Sequence, residues 1–256
     1  MTSSTRNSSA YTPGQKAVYN ISRSKIELFT QCQRCFWLDA RLRIKRPDSP
    51  PFSLNKAVDE LLKKEFDSYR KKSRPHPIMI DNQIKAVPFS HSDLDKWREN
   101  FVGVGYLHKP TNFYVFGAID DVWVNDDDQL IVVDYKATAK AGEVSIDAAW
   151  QISYKRQVEV YQWLLRRNGF KVSDQAVFIY TNGRVELDAF NDRLEFRTKL
   201  IEYIGDDNWV ETTIRKMKEC LEVDIPRTGQ SAMGGPCSYC EYAKKRTELT
   251  LKAIHK

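Results

Sequence analysis

The chain has 256 residues, of which 41% are hydrophobic and 29% are charged, so it is long enough to fold around a hydrophobic core. No stretch approaches the roughly 20 apolar residues of a membrane span, and the polar N-terminus does not resemble a secretory signal. We therefore expect a soluble, cytoplasmic protein without a membrane partner. The net charge of +6 favours polyanionic partners only weakly, because a lysine-rich solvated surface gives the same value.

Hydrophobic periodicity and proline breaks divide the first half of the chain into elements. Residues 1–19 are polar and are predicted to form a flexible tail, and residues 20–256 are predicted to form a single domain with a cysteine-bearing segment near each end. A capping box predicts a helix over 24–41, and apolar residues at helical spacing predict a second helix over 54–71. A third, shorter helix is predicted over 92–100.

The character of the sequence then changes to alternating strands and helices. Aromatic and β-branched residues predict strands, and a continuous apolar run predicts that the second of them is buried on both faces. The resulting order predicts an α/β or α+β fold, in which helices flank a small mixed sheet. The predicted strands cover 112–124, 130–136 and 175–180, and the predicted helices cover 146–167 and most of 193–221.

Charged residues lie where the buried strand ends. Asp134 and Lys136 are two positions apart, so their side chains project from the same face of the strand. A turn centred near Asp127 brings Asp120 of the preceding strand opposite Asp134. Two carboxylates on adjacent strands can share Mg²⁺ or Mn²⁺, and a neighbouring lysine can orient the attacking water or stabilise charge on a phosphate. These residues therefore predict a metal-dependent site for phosphate chemistry.

The same residues also have a simpler interpretation as an ordinary cross-strand ion pair. A carboxylate that directly follows the apolar residues 130–133 would, however, be buried, and a buried charge needs a partner or a metal. Gln157 and Tyr161 lie on one face of the next predicted helix because they are four positions apart. A helix packed across the hairpin would direct that face at the carboxylates or at bound nucleic acid.

Three short motifs follow one another along the chain: Gly117–Asp120 (GAID), Asp134–Lys136 (DYK) and Gln157–Tyr161 (QVEVY). Taken together, they resemble those of the PD-(D/E)XK nuclease superfamily. Their order and spacing are most similar to the RecB-type branch, which includes the nuclease domains of RecB and AddB and the CRISPR adaptation exonucleases. The similarity extends from about Ser24 to Cys240.

The resemblance implies a restriction-endonuclease-like core and a Mg²⁺- or Mn²⁺-dependent (exo)nuclease that hydrolyses phosphodiester bonds in DNA. Asp120 and Asp134 would be metal ligands, with the backbone carbonyl of Tyr135 as a third. Lys136 would be the catalytic lysine.

The resemblance also implies roles beyond these ligands. Gln157 and Tyr161 would support the site and contact nucleic acid. The implied setting is DNA repair, recombination or CRISPR adaptation. A helicase partner would be a separate chain, because this sequence has no Walker-type glycine-rich loop.

Two positions depart from the family pattern. RecB-type nucleases have a metal-binding histidine early in the second helix, where this chain has Asp59. A carboxylate can serve the same hard cation, and the neighbouring Glu60 and Glu65 could substitute for it. The alternative interpretation of Asp59 is a solvated helix residue. The second departure is Asp121, where the family often has a basic residue. In an ideal strand Asp121 faces away from Asp120, so we expect it to lie outside the metal site.

Four of the five cysteines form two C-x-x-C pairs, Cys32 with Cys35 and Cys237 with Cys240. In an intracellular protein this pattern favours metal binding or redox chemistry over disulfides. The first pair falls in the helix predicted over 24–41, where its spacing puts both thiols on one side. If the chain ends meet, the four thiols can hold Zn²⁺ or an iron–sulfur cluster. Otherwise the first pair are core thiols of an apolar helix.

The family resemblance favours a [4Fe–4S] cluster over zinc. Its cluster-bearing members have one early cysteine and a later C-x₂-C-x₅-C motif, to which Cys32, Cys237 and Cys240 are similar. The last position of that motif is Arg246 here, so Cys35 would replace the missing ligand. Two further functions remain open on the sequence: a non-catalytic nucleic-acid-binding module of the same fold with a structural Cys₄ site, and a protein whose Cys₄ metal senses redox state.

Overall fold

The structure, a computed structural model, describes residues 9–48, 53–227, 229 and 235–254. The chain divides into two compact units. Among the described residues, the first contains 53–106 and 116–207, and the second contains 9–48, 107–115 and the residues from 208 onward. The sequence predicts one domain over 20–256, and that assignment stays a prediction. Within the described ranges, no helix is both long enough and apolar enough to cross a membrane.

Helices and strands are mixed along the chain, which confirms the predicted α/β class. A 3₁₀ turn at Ala149–Gln151 precedes the central helix. In chain order the elements are β1 (Tyr19–Ser22), α1 (Arg23–Gln31), α2 (Gln33–Leu42), α3 (Ser53–Arg70), α4 (Pro77–Asp81), β2 (Ala86–Pro88), α5 (Leu94–Arg98), β3 (Val104–His108), β4 (Phe113–Gly117), β5 (Asp121–Asn125), β6 (Leu130–Thr138), α6 (Ile152–Arg167), β7 (Val172–Gly183), β8 (Phe196–Ile204), α7 (Asn208–Glu222) and α8 (Ser238–Ile254).

The first unit is built on a five-stranded mixed sheet in the order β2-β5-β6-β7-β8. Strand β6 is central, and residues 130–135 are all buried because both faces of the sheet are covered. It pairs antiparallel with β5 and parallel with β7. A parallel pair needs a crossover connection, and α6 supplies it. This arrangement fixes the end of β6 beside both β5 and α6.

One face of this sheet packs against α3. Phe66 of α3 is 1% exposed, and its ring stacks on Trp123 of β5 with centroids 5.5 Å apart. The same ring lies 5.8 Å from that of Tyr135 in β6. Hydrophobic burial of three large rings fixes α3 over the β5–β6 hairpin.

The second unit contains helices α1, α2, α7 and α8. The N-terminal residues of this unit include part of the flexible tail that the sequence predicts over 1–19. Residues 1–8 of that tail lie outside the described residues. Tyr11 is 2% exposed, and its hydroxyl donates to Glu222 Oε1 at 2.5 Å, while Tyr19 begins β1. Strand β1 belongs to a three-stranded sheet in the order β1-β4-β3.

Three predicted elements differ from the structure. The helix predicted over 24–41 is interrupted at Cys32, whose extended backbone separates α1 from α2. The strand predicted over 112–124 is two strands, β4 and β5, which belong to different sheets. The helix predicted over 193–221 begins only at residue 208. Residues 196–204 form the edge strand β8, in which only Leu200 is buried. Pairing with β7 makes this polar segment a strand despite its weak local preference for that structure.

Candidate active site

Hairpin β5–β6 places the two predicted carboxylates next to each other. In its antiparallel register Asp121 pairs with Val133, so the next position outward sets Asp120 opposite Asp134. Asp120 directly precedes β5, and Asp134 lies within β6. The predicted apposition of these two residues follows from the register of the strands.

Asp134 is a fully buried carboxylate with an incomplete set of partners. Its exposed fraction is 0%, and Lys136 Nζ forms an ion pair with its Oδ2. Apart from this contact with Lys136, neither carboxylate oxygen has a hydrogen-bond partner among the described residues. A buried carboxylate is stable only when it is paired, hydrogen-bonded or bound to a metal. The free acceptor capacity of Asp134 therefore fits a site for a hard cation.

The neighbouring Asp120 is more difficult to ionise than an ordinary aspartate. Its Oδ2 accepts a hydrogen bond from the backbone N–H of Tyr135 at 3.0 Å. Burial and the charge of Asp134 raise its pKa to about 6, against the opposing effects of Lys136 and Lys63. A cation placed between the two carboxylates would relieve this repulsion, which is a second indication that the site fits a metal.

Asp59 of α3 lies within electrostatic range of Asp120. Burial raises its pKa, and so does the charge of Asp120. Its Oδ2 accepts a hydrogen bond from Lys63 Nζ at 2.7 Å, one helical turn further along α3. Asn55, one turn earlier, donates to the carbonyl of Ala137 in β6 at 3.0 Å. Helix α3 thus places the predicted substitute for the family histidine near Asp120, with Lys63 as its hydrogen-bond partner.

Helix α6 presents a polar face of its own. Gln157 Nε2 donates to the hydroxyl of Tyr161 at 3.3 Å, so the two predicted residues share one face. The sequence analysis did not single out Tyr154. Its ring centroid lies 4.7 Å from Lys136 Nζ, and burial raises its pKa to about 12, with added contributions from Tyr180 and Asp134. Its spacing of three residues before Gln157 is the signal that places it on the same helix face.

Lys136 therefore lies between an acid and an aromatic ring. Its Nζ contacts Asp134 on one side and the face of Tyr154 on the other. An ammonium group above a tyrosine ring is held by the negative face of the ring as well as by the ion pair. This arrangement keeps the positive charge at the end of β6, beside the carboxylates.

The four paired cysteines converge in the second unit. Their sulfur atoms all lie within 4.8 Å of one another. Cys32 Sγ is 3.7 Å from Cys240 Sγ, and Cys35 Sγ is 3.8 Å from Cys237 Sγ and from Cys240 Sγ. All four are free thiols, and three of them are buried. This donor set fits a tetrahedral Zn²⁺ site or an iron–sulfur cluster.

The interruption at Cys32 builds the first half of the cysteine cluster. Cys32 is the N-cap of α2, and its Sγ accepts a hydrogen bond from the backbone N–H of Cys35 at 3.4 Å. The second pair lies at the start of α8, where Cys237 N–H donates to the carbonyl of Gly229 at 2.7 Å. A side chain at Gly229 would place its Cβ 2.5 Å from Cys32 Sγ, so only glycine fits.

The thiols of the cluster differ in acidity. At Cys237 burial raises the pKa, but hydrogen bonds from the backbone of Cys240 and from Cys32 and Cys35 outweigh it and lower the pKa to about 7. At Cys35 burial dominates and raises the pKa to about 11. Arg46 Nη2 also contacts Cys237 Sγ at 3.6 Å, which adds a positive charge beside the sulfur atoms. A metal needs thiolates as ligands, and Cys237 is more readily ionised than Cys35.

Comparisons with known proteins identify the family. A family profile described as the PD-(D/E)XK nuclease superfamily matches residues 53–244, which include Asp59, both hairpin carboxylates and the polar face of α6. No curated protein matches the chain. The crystal structure of SSO0001 is similar, with 11% sequence identity and a TM-score of 0.33, over 77% of this chain and 74% of that chain. At that similarity it adds no argument. Because the family profile covers most of the sequence, the chain belongs to the PD-(D/E)XK nuclease superfamily.

Proposed function

We propose that the chain is a Mg²⁺- or Mn²⁺-dependent nuclease of the RecB type, which hydrolyses phosphodiester bonds in DNA. The main support is the buried carboxylate of Asp134, which lies opposite Asp120 and has Lys136 as its one side-chain partner among the described residues. In a chain of a nuclease superfamily, that combination supports a catalytic cation site.

The ligands would come from both strands of the hairpin and from α3. Asp120 and Asp134 would hold the cation with the backbone carbonyl of Tyr135, and Asp59 would replace the usual histidine. The cation would supply the Lewis acid that polarises a phosphate oxygen and activates the attacking water. Since Lys63 already binds Asp59, that carboxylate would join the ligands by exchanging its lysine partner for the cation.

The remaining polar residues would act on the substrate. The ammonium group of Lys136 would exchange its contact with Asp134 for one with the scissile phosphate. It would keep its contact with the ring of Tyr154 during that exchange. The hydrogen-bonded pair of Gln157 and Tyr161 would orient the nucleic acid from α6. We further propose exonucleolytic cleavage in repair, recombination or CRISPR adaptation, with any helicase on a separate chain.

The cysteine cluster would hold a second, structural metal. We propose a [4Fe–4S] cluster, with Zn²⁺ as the alternative occupant of the same four thiols. Its contribution would be to link the start of α2 to the start of α8, which are about 200 residues apart in the chain. Metal analysis and visible absorbance after anaerobic purification distinguish the two occupants.

The test of nuclease activity is cleavage of end-labelled single- and double-stranded DNA in Mn²⁺. We expect metal-dependent cleavage by the wild type and a loss of about 100-fold or more in Asp134→Asn and in Lys136→Met, because each removes a group that acts on the reacting phosphate or its metal. Exposed residues of the same types supply the matched controls, Asp127→Asn and Lys171→Met. Absence of wild-type cleavage, or equal rates in all four variants, refutes the proposal.

A non-catalytic nucleic-acid-binding module is the second candidate. The ion pairs of Lys63 with Asp59 and of Lys136 with Asp134 favour it, because they already neutralise two of the carboxylates without a metal. This candidate predicts DNA binding that Mn²⁺ leaves unchanged and no turnover. Fluorescence anisotropy with and without Mn²⁺, on the same samples as the cleavage assay, separates the two functions.

A further inference from the structure

A second carboxylate lies directly behind the proposed metal site. Asp121 follows Asp120 in the chain and faces the opposite side of the hairpin, as the alternation of a strand predicts. Its exposed fraction is 0%, and three side chains bind it. Arg70 Nη2 and Arg98 Nη2 bind Oδ1, the latter at 3.0 Å, and the hydroxyl of Tyr135 donates to Oδ2 at 2.7 Å.

The charges of this cluster are balanced. Asp67 of α3 binds both guanidinium groups, with Arg98 Nη1 at 2.9 Å from its Oδ1 and 3.0 Å from its Oδ2. Two arginines and two aspartates therefore neutralise one another. The hydroxyl of Tyr135 keeps its proton, because burial and the charge of Asp121 raise its pKa well above the ordinary value.

Two hydrogen bonds connect this cluster to the proposed ligands. Arg98 Nε donates to the backbone carbonyl of Asp120 at 3.1 Å, so one guanidinium group spans Asp120 and Asp121. Tyr135, whose hydroxyl is bound to Asp121, donates its backbone N–H to Asp120 Oδ2 at 3.0 Å. The main chain of Asp120 and its carboxylate are thus each held by a member of the cluster.

We propose that Arg98, Asp121 and Tyr135 are positioning residues that hold the Asp120 carboxylate and the Tyr135 backbone in the geometry that binds the catalytic cation. This inference rests on the proposed function and deepens it. Groups that orient the ligands of a metal commonly change its affinity by 10- to 100-fold when they are altered.

Stability alone does not account for this cluster. A buried ion pair is often no more stabilising than well-packed apolar residues of the same volume, because removing charges from water is costly. Here the hydrogen bonds from Arg98 and Tyr135 end on Asp120, a proposed ligand on the opposite face. Positioning explains why the charges lie at this place in the fold.

The test compares the metal affinity of three variants with that of the wild type. Tyr135→Phe removes the hydroxyl and keeps the ring that packs near Phe66. Arg98→Lys keeps the charge but replaces the rigid guanidinium fork, whose Nε and Nη2 bind Asp120 and Asp121, with a single ammonium nitrogen. Tyr203→Phe is the matched control. It also removes a tyrosine hydroxyl, which donates to Glu159 Oε1 at 2.5 Å, and Tyr203 lies outside the β5–β6 hairpin.

Isothermal titration with Mn²⁺ gives the dissociation constant, and the Mn²⁺ midpoint of DNA cleavage gives an independent value. We expect both to rise about 10-fold in Tyr135→Phe and in Arg98→Lys, with Tyr203→Phe unchanged, and excess Mn²⁺ to restore most of the cleavage rate. If Arg98→Lys does not fold, Tyr135→Phe decides alone.

Two results would overturn the inference. If Tyr135→Phe folds and its Mn²⁺ dissociation constant is within twofold of the wild-type value, the cluster does not position the ligands. The proposed nuclease function is then still supported, provided that the wild type cleaves DNA. A wild-type chain that binds no Mn²⁺ overturns the proposed function and the inference together.

Discussion

The raised pKa of Asp120 gives a prediction with a defined size and sign. Its pKa lies at about 6, against an ordinary value of 3.8, mainly because of burial and the charge of Asp134. Each pH unit between these values corresponds to about 1.4 kcal/mol, so ionising Asp120 costs the metal-free fold about 3 kcal/mol at neutral pH. Asp120→Asn removes that charge and keeps an oxygen to accept the Tyr135 N–H. We therefore expect Asp120→Asn to be more stable than the wild type.

The pH dependence follows from the direction of the shift. A group whose pKa is raised in the fold contributes most to stability below its unfolded value, and that contribution is lost as the pH rises through 6. The advantage of Asp120→Asn should be about 3 kcal/mol at pH 7.5 and should disappear near pH 4. Urea unfolding followed by tryptophan fluorescence, without added divalent cations, measures it.

Added Mg²⁺ should reverse the order of stabilities. Binding to the folded state stabilises the wild type by mass action, and Asp120→Asn has lost one of the proposed ligands. Asp127→Asn, an exposed carboxylate in the β5–β6 turn, is the control and should match the wild type throughout. If Asp120→Asn is no more stable than the wild type at pH 7.5, burial and the charge of Asp134 do not raise the pKa of Asp120 as described.

Three further predictions concern the cysteine cluster and the core. Cys35→Ala should lose the bound metal and lower the melting temperature, whereas Cys220→Ala, a buried thiol outside the cluster, should keep full metal content by elemental analysis. Gly229→Ala should also reduce metal content, because the added methyl group would lie 2.5 Å from Cys32 Sγ; normal occupancy would contradict that packing. Phe66→Ala should lower the free energy of unfolding by about 3–5 kcal/mol, since the ring is 1% exposed, and a loss under 1 kcal/mol would be inconsistent with its burial.

The hairpin could be predicted from the sequence because two strong signals coincide there. Residues 130–133 are continuously apolar, and the turn at 125–128 fixes the register. The opposition of Asp120 and Asp134 then follows from strand geometry. The relation of Gln157 to Tyr161 follows from helix geometry in the same way, and the structure shows the hydrogen bond between them.

Features that depend on contacts between distant parts of the chain could not be predicted. The sequence of strand β8 is polar and, taken by itself, predicts a helix. Only its pairing with β7 makes this segment a strand. The interruption at Cys32 carries no proline or glycine signal, and it becomes intelligible only beside Cys237 and Cys240. The partners of Asp121 come from α3, α5 and β6. Strand alternation therefore predicted which face of the hairpin Asp121 lies on, but it could not predict the ion pairs with Arg70 and Arg98.

The proposed nuclease function requires Asp120 and Asp134 to hold a catalytic cation. The most direct measurement is the anomalous difference map of a crystal grown with Mn²⁺. We expect a peak within coordination distance of one oxygen from each carboxylate and of the Tyr135 carbonyl, with Lys136 Nζ displaced from Asp134. A map without a peak there, with the Lys136–Asp134 ion pair intact at saturating Mn²⁺, would contradict it.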